Sequence, residues 1–325
     1  MNPILAWGIH LIIAIQHSAP WLQAPAQLFS FLGNEEFFFF VLPLLYWCVD
    51  VRLGVRVAII LTLSNSVNSF FKLAFHQPRP FWVSTDVQPG VQETSYGIPS
   101  GHAQHATTVW GTIGSAGKAW LRWLMVAIIF LIGLSRIVLA VHFPTDVLLG
   151  WILGGAVLWA FLKWEAPVLT WLDHFTLAQK IGLVFAASML IWMVALAGSA
   201  CVPPSDPPEW ESTAAHFFPP EAGETAIAPR DTGGPVGVAG TFFGLAAGVI
   251  LLFNRASFDP RVEWWKRVVR FAIGVMGVAI FWLGLRMVFP RDTALVSQVL
   301  RYARYGVTGL WVAYGAPWVF LKLRL

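Results

Sequence analysis

Charged residues are scarce in this chain: Asp, Glu, Lys and Arg make up 12% of its 325 residues, about half of what a soluble domain carries. Disorder is excluded, because it needs high charge and few apolar residues. A net charge of +4 spread over the whole length forms no basic patch, which argues against a nucleic-acid partner. Cysteine is scarce as well. Two residues, Cys48 and Cys201, cannot build a disulfide scaffold, and the topology argued below puts them at opposite membrane faces, so no bridge is expected. No basic residue precedes the first apolar run, MNPILAWGIH, and no small-residue cleavage site is evident. The run therefore reads as part of the mature protein rather than as a signal peptide.

Apolar side chains are what the sequence has in excess, at 57% of residues with 18 Trp and 25 Phe. Apolar runs fall at 36–50, 54–75, 102–117, 120–140, 146–164, 178–200, 236–254, 268–289 and 304–322. Each is expected to be a membrane helix, since an open strand would leave its backbone groups unsatisfied in hydrocarbon. Residues 3–17 are apolar but short, and either cross or lie at the interface. The stretch 201–235 is rich in proline and carries six acidic residues against one Arg, the composition of a loop outside the membrane. The expected organisation is all-α: an N-terminal segment 1–35, a transmembrane core 36–200, an external loop 201–235 and a transmembrane extension 236–325.

Lys and Arg distribution assigns sides. With loop 51–53 cytoplasmic, thirteen basic residues fall on cytoplasmic segments and helix ends, and eight fall on the other face or within spans. Three of those eight belong to a constellation at the external face, where ionisable groups are costly and indicate function. Lys72 and Arg79-Pro80 end one span. Pro99-Ser100-Gly101-His102 opens the next. Ser135-Arg136, His142 and Asp146 follow at the junction of two later spans. Three fixed cations, Lys72, Arg79 and Arg136, converging on one point repel one another unless an anion lies between them. Arginine forks match phosphate oxygens, and lysine serves as a point charge. Ser100 and the Gly101 backbone sit at a helix N-terminus, which favours anions. A histidine oriented by Asp146 can attack phosphorus while the other protonates a leaving oxygen. The inventory fits hydrolysis of a phosphate ester or anhydride, needing no metal and no other cofactor.

These three motifs, Lys-x6-Arg-Pro, Pro-Ser-Gly-His and Ser-Arg-x5-His-x3-Asp, resemble those of the type 2 phosphatidic acid phosphatase (PAP2) superfamily, which also includes vanadium haloperoxidases. A weaker likeness over about 30–165, including Phe31-Leu-Gly-Asn-Glu-Glu36, points to bacterial proteins like sphingosine-1-phosphate phosphatases, although Gly101 stands where that branch usually has Thr. The resemblance implies a polytopic helical bundle with a six-helix catalytic core, followed here by about three extra helices. It implies His142 as the nucleophile forming a phosphohistidine, Asp146 as its support and His102 as the acid. Lys72, Arg79, Ser100, Gly101 and Arg136 would hold the phosphoryl oxygens.

The substrate expected is a lipid phosphate or diphosphate, met among membrane lipids at the external face of a bacterial inner membrane. A phosphotransferase passing the phosphoryl group to an alcohol, and a lipid or anion transporter, remain as alternatives. His102 and His105 could suggest a metal pair, but three nearby cations oppose a dication. Asn65, Ser66, Asn68 and Ser69 read as helix–helix hydrogen bonding, and Gly150, Gly154 and Gly155 as close helix packing.

Overall fold

The structure is a computed structural model that describes residues 3–200, 205–221, 224–256, 258–290, 292 and 294–325. Cys201 lies outside these. Among the described residues every regular element is a helix. In chain order these are α1 Pro3–Ser18, α2 Gln23–Phe31, α3 Glu35–Leu44, α4 Val51–Phe75, α5 Pro80–Val83, α6 Gly101–Ser115, α7 Ala119–Val138 and α8 Pro144–Leu172. There follow α9 Leu177–Ser199, α10 Pro208–Phe217, α11 Gly233–Arg255, α12 Trp264–Ala279, α13 Leu285–Val288, α14 Leu295–Leu310 and α15 Ala316–Lys322. Wide π-type turns at Leu45–Val49, Ile280–Gly284 and Trp311–Gly315 extend α3, α12 and α14.

Six segments are long and apolar enough to cross a bilayer: Val51–Val83, Ala119–Val138, Pro144–Leu172, Leu177–Ser199, Gly233–Arg255 and Trp264–Val288. Nine were expected. The run 36–50 becomes α3 and its wide turn, and 102–117 becomes the 15-residue α6. The run 304–322 is divided between α14 and α15. Helix α1, at 16 residues, is also shorter than a full crossing.

The helices group into two compact units interleaved in sequence. One comprises Met1–Phe37, Val67–Leu158 and Ala195–Asp231; the other comprises Phe38–Ser66, Trp159–Val194 and Thr232–Leu325. This differs from the sequential division expected, because α4, α8 and α9 each supply residues to both.

In the first unit, close approach between helices is set by glycine. A Cβ on Gly150 of α8 would lie 2.7 Å from the Ser100 carbonyl oxygen, and one on Gly154 would lie 2.7 Å from the Gln104 oxygen, so α8 lies directly on the start of α6. Gly155 faces open space and needs no such explanation. Helix α1 packs its Gly8 against Phe143, where a Cβ would come within 2.6 Å of the ring. The acidic loop is more ordered than its composition implies. It contains α10, whose Trp210 packs on Trp82 at 6.0 Å between ring centroids, while Phe218 meets Phe81 at 5.8 Å.

In the second unit, α11 meets α14 along Gly240, Gly244 and Gly248. A Cβ on Gly240 would lie 3.2 Å from the Gly306 nitrogen, and one on Gly248 would lie 2.7 Å from the Ala313 Cβ. Small residues at this spacing let backbones touch where lipid offers no competing hydrophobic force. The wide turn at Trp311–Gly315 frees carbonyls that an α-helix would consume. Buried side chains claim them: Trp47 Nε1 donates to Val312 at 2.9 Å and Tyr46 Oη to Ala313 at 2.8 Å.

Candidate active site

All the motif residues lie in the first unit, and the chain gathers them from five junctions. Lys72 stands on the last turn of α4, and Arg79 on the short link before α5. Ser100 is the N-cap of α6, its Oγ accepting from the Ala103 nitrogen at 3.5 Å, and Gly101 and His102 begin that helix. Arg136 closes α7 and Asp146 opens α8. Between them Ala140 adopts φ 55°, a left-handed conformation that reverses the chain at the end of α7. The His142 nitrogen thereby returns to the Arg136 carbonyl at 3.3 Å. His76, with φ 37°, makes a similar reversal between Lys72 and Arg79. Left-handed backbone without glycine is strained, and both instances flank this cluster.

The hydrogen bonds of His142 define its tautomer. Arg79 Nη1 lies 3.1 Å from Nε2, and a guanidinium can only donate, so Nε2 carries a lone pair. The other nitrogen, Nδ1, then bears the proton and donates to Asp146 Oδ2 at 3.2 Å. The Phe143 backbone nitrogen donates to the same carboxylate oxygen at 2.9 Å, which fixes Asp146. Burial foremost, and then the charges of Arg79, Lys72 and Arg136, hold His142 well below its ordinary pKa. The imidazole is therefore neutral at pH 7, with its free lone pair directed at the Arg79 fork.

His102 has a partner that the motifs do not contain. Its Nε2 lies 2.7 Å from Asn34 Oδ1, an acceptor only, so this nitrogen is protonated. Asn68 makes the helix–helix hydrogen bond expected of its stripe and also binds the Pro-Ser-Gly-His turn: Nδ2 donates to Gln104 Oε1 on α6 at 3.0 Å and to the Pro99 oxygen at 3.3 Å. Lys72 Nζ donates to the Tyr96 carbonyl. Ser135, also in the third motif, donates within α7 to the Ile132 oxygen at 2.6 Å.

The anion required by the three cations is supplied by the chain itself. Glu93, on the non-helical segment 84–100, spans the two arginines: Oε2 accepts from Arg79 Nη2 at 3.2 Å and Oε1 accepts from Arg136 Nη2. Arg79 also donates from Nε to the Ser95 oxygen at 2.6 Å and from Nη1 to the Val141 oxygen at 2.9 Å, and Arg136 Nη1 donates to Ser30 Oγ. Burial alone would raise the Glu93 carboxyl, but Arg79 and Arg136 outweigh it and hold the group well below the usual carboxylate range. Both arginine side chains are 1% exposed, whereas Glu93 is 24% exposed. Glu93 is thus more exposed than either arginine it joins. Arg136 Nε is buried with no hydrogen-bond partner among the described residues.

The segment carrying Glu93 is roofed by the acidic loop. Ala228 donates to the Thr94 oxygen at 3.0 Å, and Gln92 Nε2 to the Ala226 oxygen at 3.3 Å. Tyr96 Oη donates to Asp206 at 2.7 Å, and Arg230 Nε pairs with that carboxylate at 2.8 Å. Sequence reasoning did not single out Glu93, Ser30, Ser95 or Tyr96, since no spacing ties them to the motifs. Asn34 had a signal, because it lies within the quoted Phe31–Glu36 likeness.

Two arginines gathered on one carboxylate, a neutral histidine braced by Asp146 and a second histidine with its Nε2 proton on Asn34 fit the class of a membrane phosphatase site. Comparison with known proteins agrees. Residues 53–169 match the PAP2 superfamily, and residues 236–325 match the PAP2 superfamily phosphatase, transmembrane extension. The chain thus contains a PAP2 superfamily domain followed by a PAP2 transmembrane extension. Its relatives include glucose-6-phosphatase 3 of Bos taurus, 28% identical over 218 residues that cover 59% of this chain and 62% of that protein. The chain thus spans less than two thirds of the bovine relative. Glucose-6-phosphatase 3 of Mus musculus is 26% identical over 98% of this chain and 96% of its own length. Phosphatidylglycerophosphatase B of Bacillus subtilis is 29% identical over 42% of this chain and 71% of its own. Among solved structures, Aquifex aeolicus LpxE aligns at a TM-score of 0.42 and 26% identity, covering 47% of this chain and 93% of that one.

Proposed function

We propose that the chain hydrolyses a phosphate monoester or anhydride through a covalent phosphohistidine on His142. The observation that carries this reading is the tautomer: His142 presents an unprotonated Nε2 beside Arg79 while Asp146 holds the proton on Nδ1. In the first step Nε2 attacks phosphorus and the P–O bond to the leaving group breaks, while His102, made cationic once the anionic substrate is bound and keeping Nε2–H on Asn34, gives its Nδ1 proton to the departing oxygen. Asp146 supports the positive charge that His142 gains. In the second step His102 takes a proton from water, whose oxygen attacks phosphorus, and the N–P bond breaks to release phosphate. Arg79, Arg136, Lys72 and the start of α6 at Ser100 and Gly101 hold the phosphoryl oxygens.

In this reading Glu93 occupies the place of the phosphoryl group in the free enzyme. An incoming dianion displaces it from between Arg79 and Arg136, and the spare Arg136 Nε is available to the newcomer. Glu93 can move because its segment has no helical ladder and its side chain reaches open space.

The substrate expected from a site at helix ends is a lipid phosphate or diphosphate, and the bacillary phosphatidylglycerophosphatase B among the relatives supports it. A second reading, a soluble sugar phosphate, is favoured by the match over 96% of mouse glucose-6-phosphatase 3, which includes the C-terminal extension. The side of the site, external in a bacterial inner membrane, rests on the charge count.

Phosphate release from a panel of phosphatidate, phosphatidylglycerophosphate, undecaprenyl diphosphate and glucose 6-phosphate decides the substrate class. Quenching ³²P-labelled substrate with detergent at alkaline pH tests the mechanism: wild type and His102→Ala retain base-stable, acid-labile label, and His142→Ala retains none. Label on His142→Ala would overturn the assignment. Activity in EDTA, with vanadate competing against substrate, is expected of a site that uses these cations alone; loss in EDTA restored by zinc would contradict it.

A further inference from the structure

The second unit contains another cluster of cations, with no residue in common with the first. Where α13 ends and α14 begins, Arg286, Arg301 and Arg304 line a cavity of about 250 Å³ together with Trp282, Phe289 and Tyr305. Nothing neutralises them: among the described residues none of the three arginines pairs with a carboxylate. Arg304 is 9% exposed and its Nε has no hydrogen-bond partner. Its guanidinium packs at 5.0 Å from the Tyr305 ring centroid, and that of Arg286 at 5.6 Å from Trp282. Asp292, the acid next to α14 in sequence, is already engaged. Its Oδ1 accepts from Ser297 Oγ at 2.5 Å and from the Ala294 nitrogen at 2.9 Å, tying down the first turn of that helix.

Elsewhere in the molecule buried arginines have acceptors for their terminal nitrogens, although Arg136 and Arg270, like Arg304, leave Nε unpaired. Arg79 and Arg136 share Glu93, and Arg270 donates to the carbonyls of Asp259 and Leu325 at 2.9 and 2.7 Å. Three arginines around one cavity, one of them buried with an unused donor, are tolerated only if an anion completes them. The planar forks suit a phosphate, and the aromatic lining suits an attached apolar stem. At about 30 Å³ per water the cavity holds roughly eight waters, enough for a phosphate group and the start of a glycerol chain. Arg286 stands two residues before the end of the apolar segment Trp264–Val288, the depth at which lipid phosphates lie.

We propose that this cavity is a second phosphate-binding site, taking the phosphate of an anionic lipid or free phosphate independently of the catalytic cluster. It does not rest on the mechanism above.

The test uses the full chain purified in detergent. Phosphatidylglycerol, a diester that a monoesterase does not hydrolyse, is titrated by native mass spectrometry with phosphatidylcholine as the uncharged comparison. Inorganic ³²P-phosphate is titrated in parallel by equilibrium dialysis. Wild type is expected to bind phosphatidylglycerol in preference to phosphatidylcholine if lipid is the source, or one phosphate more than the variant lacking Arg301 and Arg304 if free phosphate is. Arg301→Gln with Arg304→Gln weakens that binding tenfold or more, since each charged hydrogen bond lost costs about 1.5–3 kcal/mol. Arg304→Lys, which keeps the charge and guards against simple misfolding, retains binding within a few-fold. Absence of both the lipid preference and the second phosphate, or binding unchanged in the double variant, overturns the proposal.

Discussion

Glu93 and Arg136 form an ion pair inside the motif cluster, and Arg79 takes the other oxygen of the same carboxylate at 3.2 Å. The two arginines proposed to hold a phosphoryl group are therefore joined by an acid from outside the motifs. If Glu93 competes with substrate, Glu93→Gln removes the competitor while keeping a similar shape. Vanadate and phosphate should then inhibit about tenfold more tightly, the worth of one charged hydrogen bond, and the unliganded protein should melt at a lower temperature. Inhibition constants that rise together with KM would instead make Glu93 a residue that merely positions the arginines.

Asn34 holds the protonated nitrogen of His102. Asn34→Ala leaves the imidazole in place without its acceptor, so the acid is less well aimed. General acid catalysis is worth about 10²–10⁴-fold, and loss of aim should remove about tenfold from kcat on an alkyl phosphate. KM should be unchanged, and p-nitrophenyl phosphate, whose leaving group departs unprotonated, should be hydrolysed nearly as fast as by wild type. An equal loss on both substrates would refute a role through His102.

Gly150 and Gly155 look alike in the sequence and differ in space. Gly150→Ala puts a methyl 2.7 Å from the Ser100 oxygen and 3.0 Å from Ala103 Cβ, which forces α8 away from α6. The expected cost is about 1–3 kcal/mol, with kcat reduced because Asp146 moves relative to Ser100. Gly155→Ala meets nothing within 4 Å and should be neutral or stabilising by up to about 1 kcal/mol through helix propensity. Thermal melts and kcat for the pair check this, and equal behaviour would contradict it.

Acid should destabilise the fold through two groups. His142 and Glu93 both have depressed pKa values when folded, so the unfolded chain binds more protons and stability falls as pH falls. The His142 contribution is complete above its ordinary value of 6.5 and is lost on descending below it. The Glu93 contribution is complete above 4.5 and is lost below that. The gap in Tm between wild type and Glu93→Gln should therefore narrow as pH drops below about 4.5. A gap that widens in acid would reverse the sign argued here.

The charge count makes a prediction about sides. The cytoplasmic probe is placed at the exposed Glu263. In a chain with Cys48 and Cys201 replaced by Ala, Thr94→Cys and Ser212→Cys should label with an impermeant thiol reagent in intact cells, and Glu263→Cys should not. Labelling of Glu263→Cys alone would invert the orientation.

The helical class and the identity of the basic and histidine residues were legible because they depend on local facts. A bilayer accepts apolar runs as helices, and chemistry at helix ends leaves short motifs such as Pro99–His102 and Arg136–Asp146. Span lengths were less legible. Hydropathy does not reveal a wide turn, so 304–322 read as one run although it contains the end of α14, a π-type turn and α15. The acidic loop 201–235 read as a plain linker, because its packing through Trp210 and Asp206 depends on partners more than 100 residues away.

The sequence by itself determined that Lys72, Arg79 and Arg136 need an anion between them if they converge, since like charges repel. Only the tertiary structure decided which anion it is in the free protein. Glu93 stands 14 residues after Arg79 and 43 before Arg136, on a segment without periodicity, and no local rule brings it to either. The fold does so by anchoring Gly90 to Leu139, Gly97 to Gln77 and Thr94 to Ala228 through backbone hydrogen bonds. Those long-range bonds position the loop, and the field of two buried guanidinium groups then draws the Glu93 carboxylate between them.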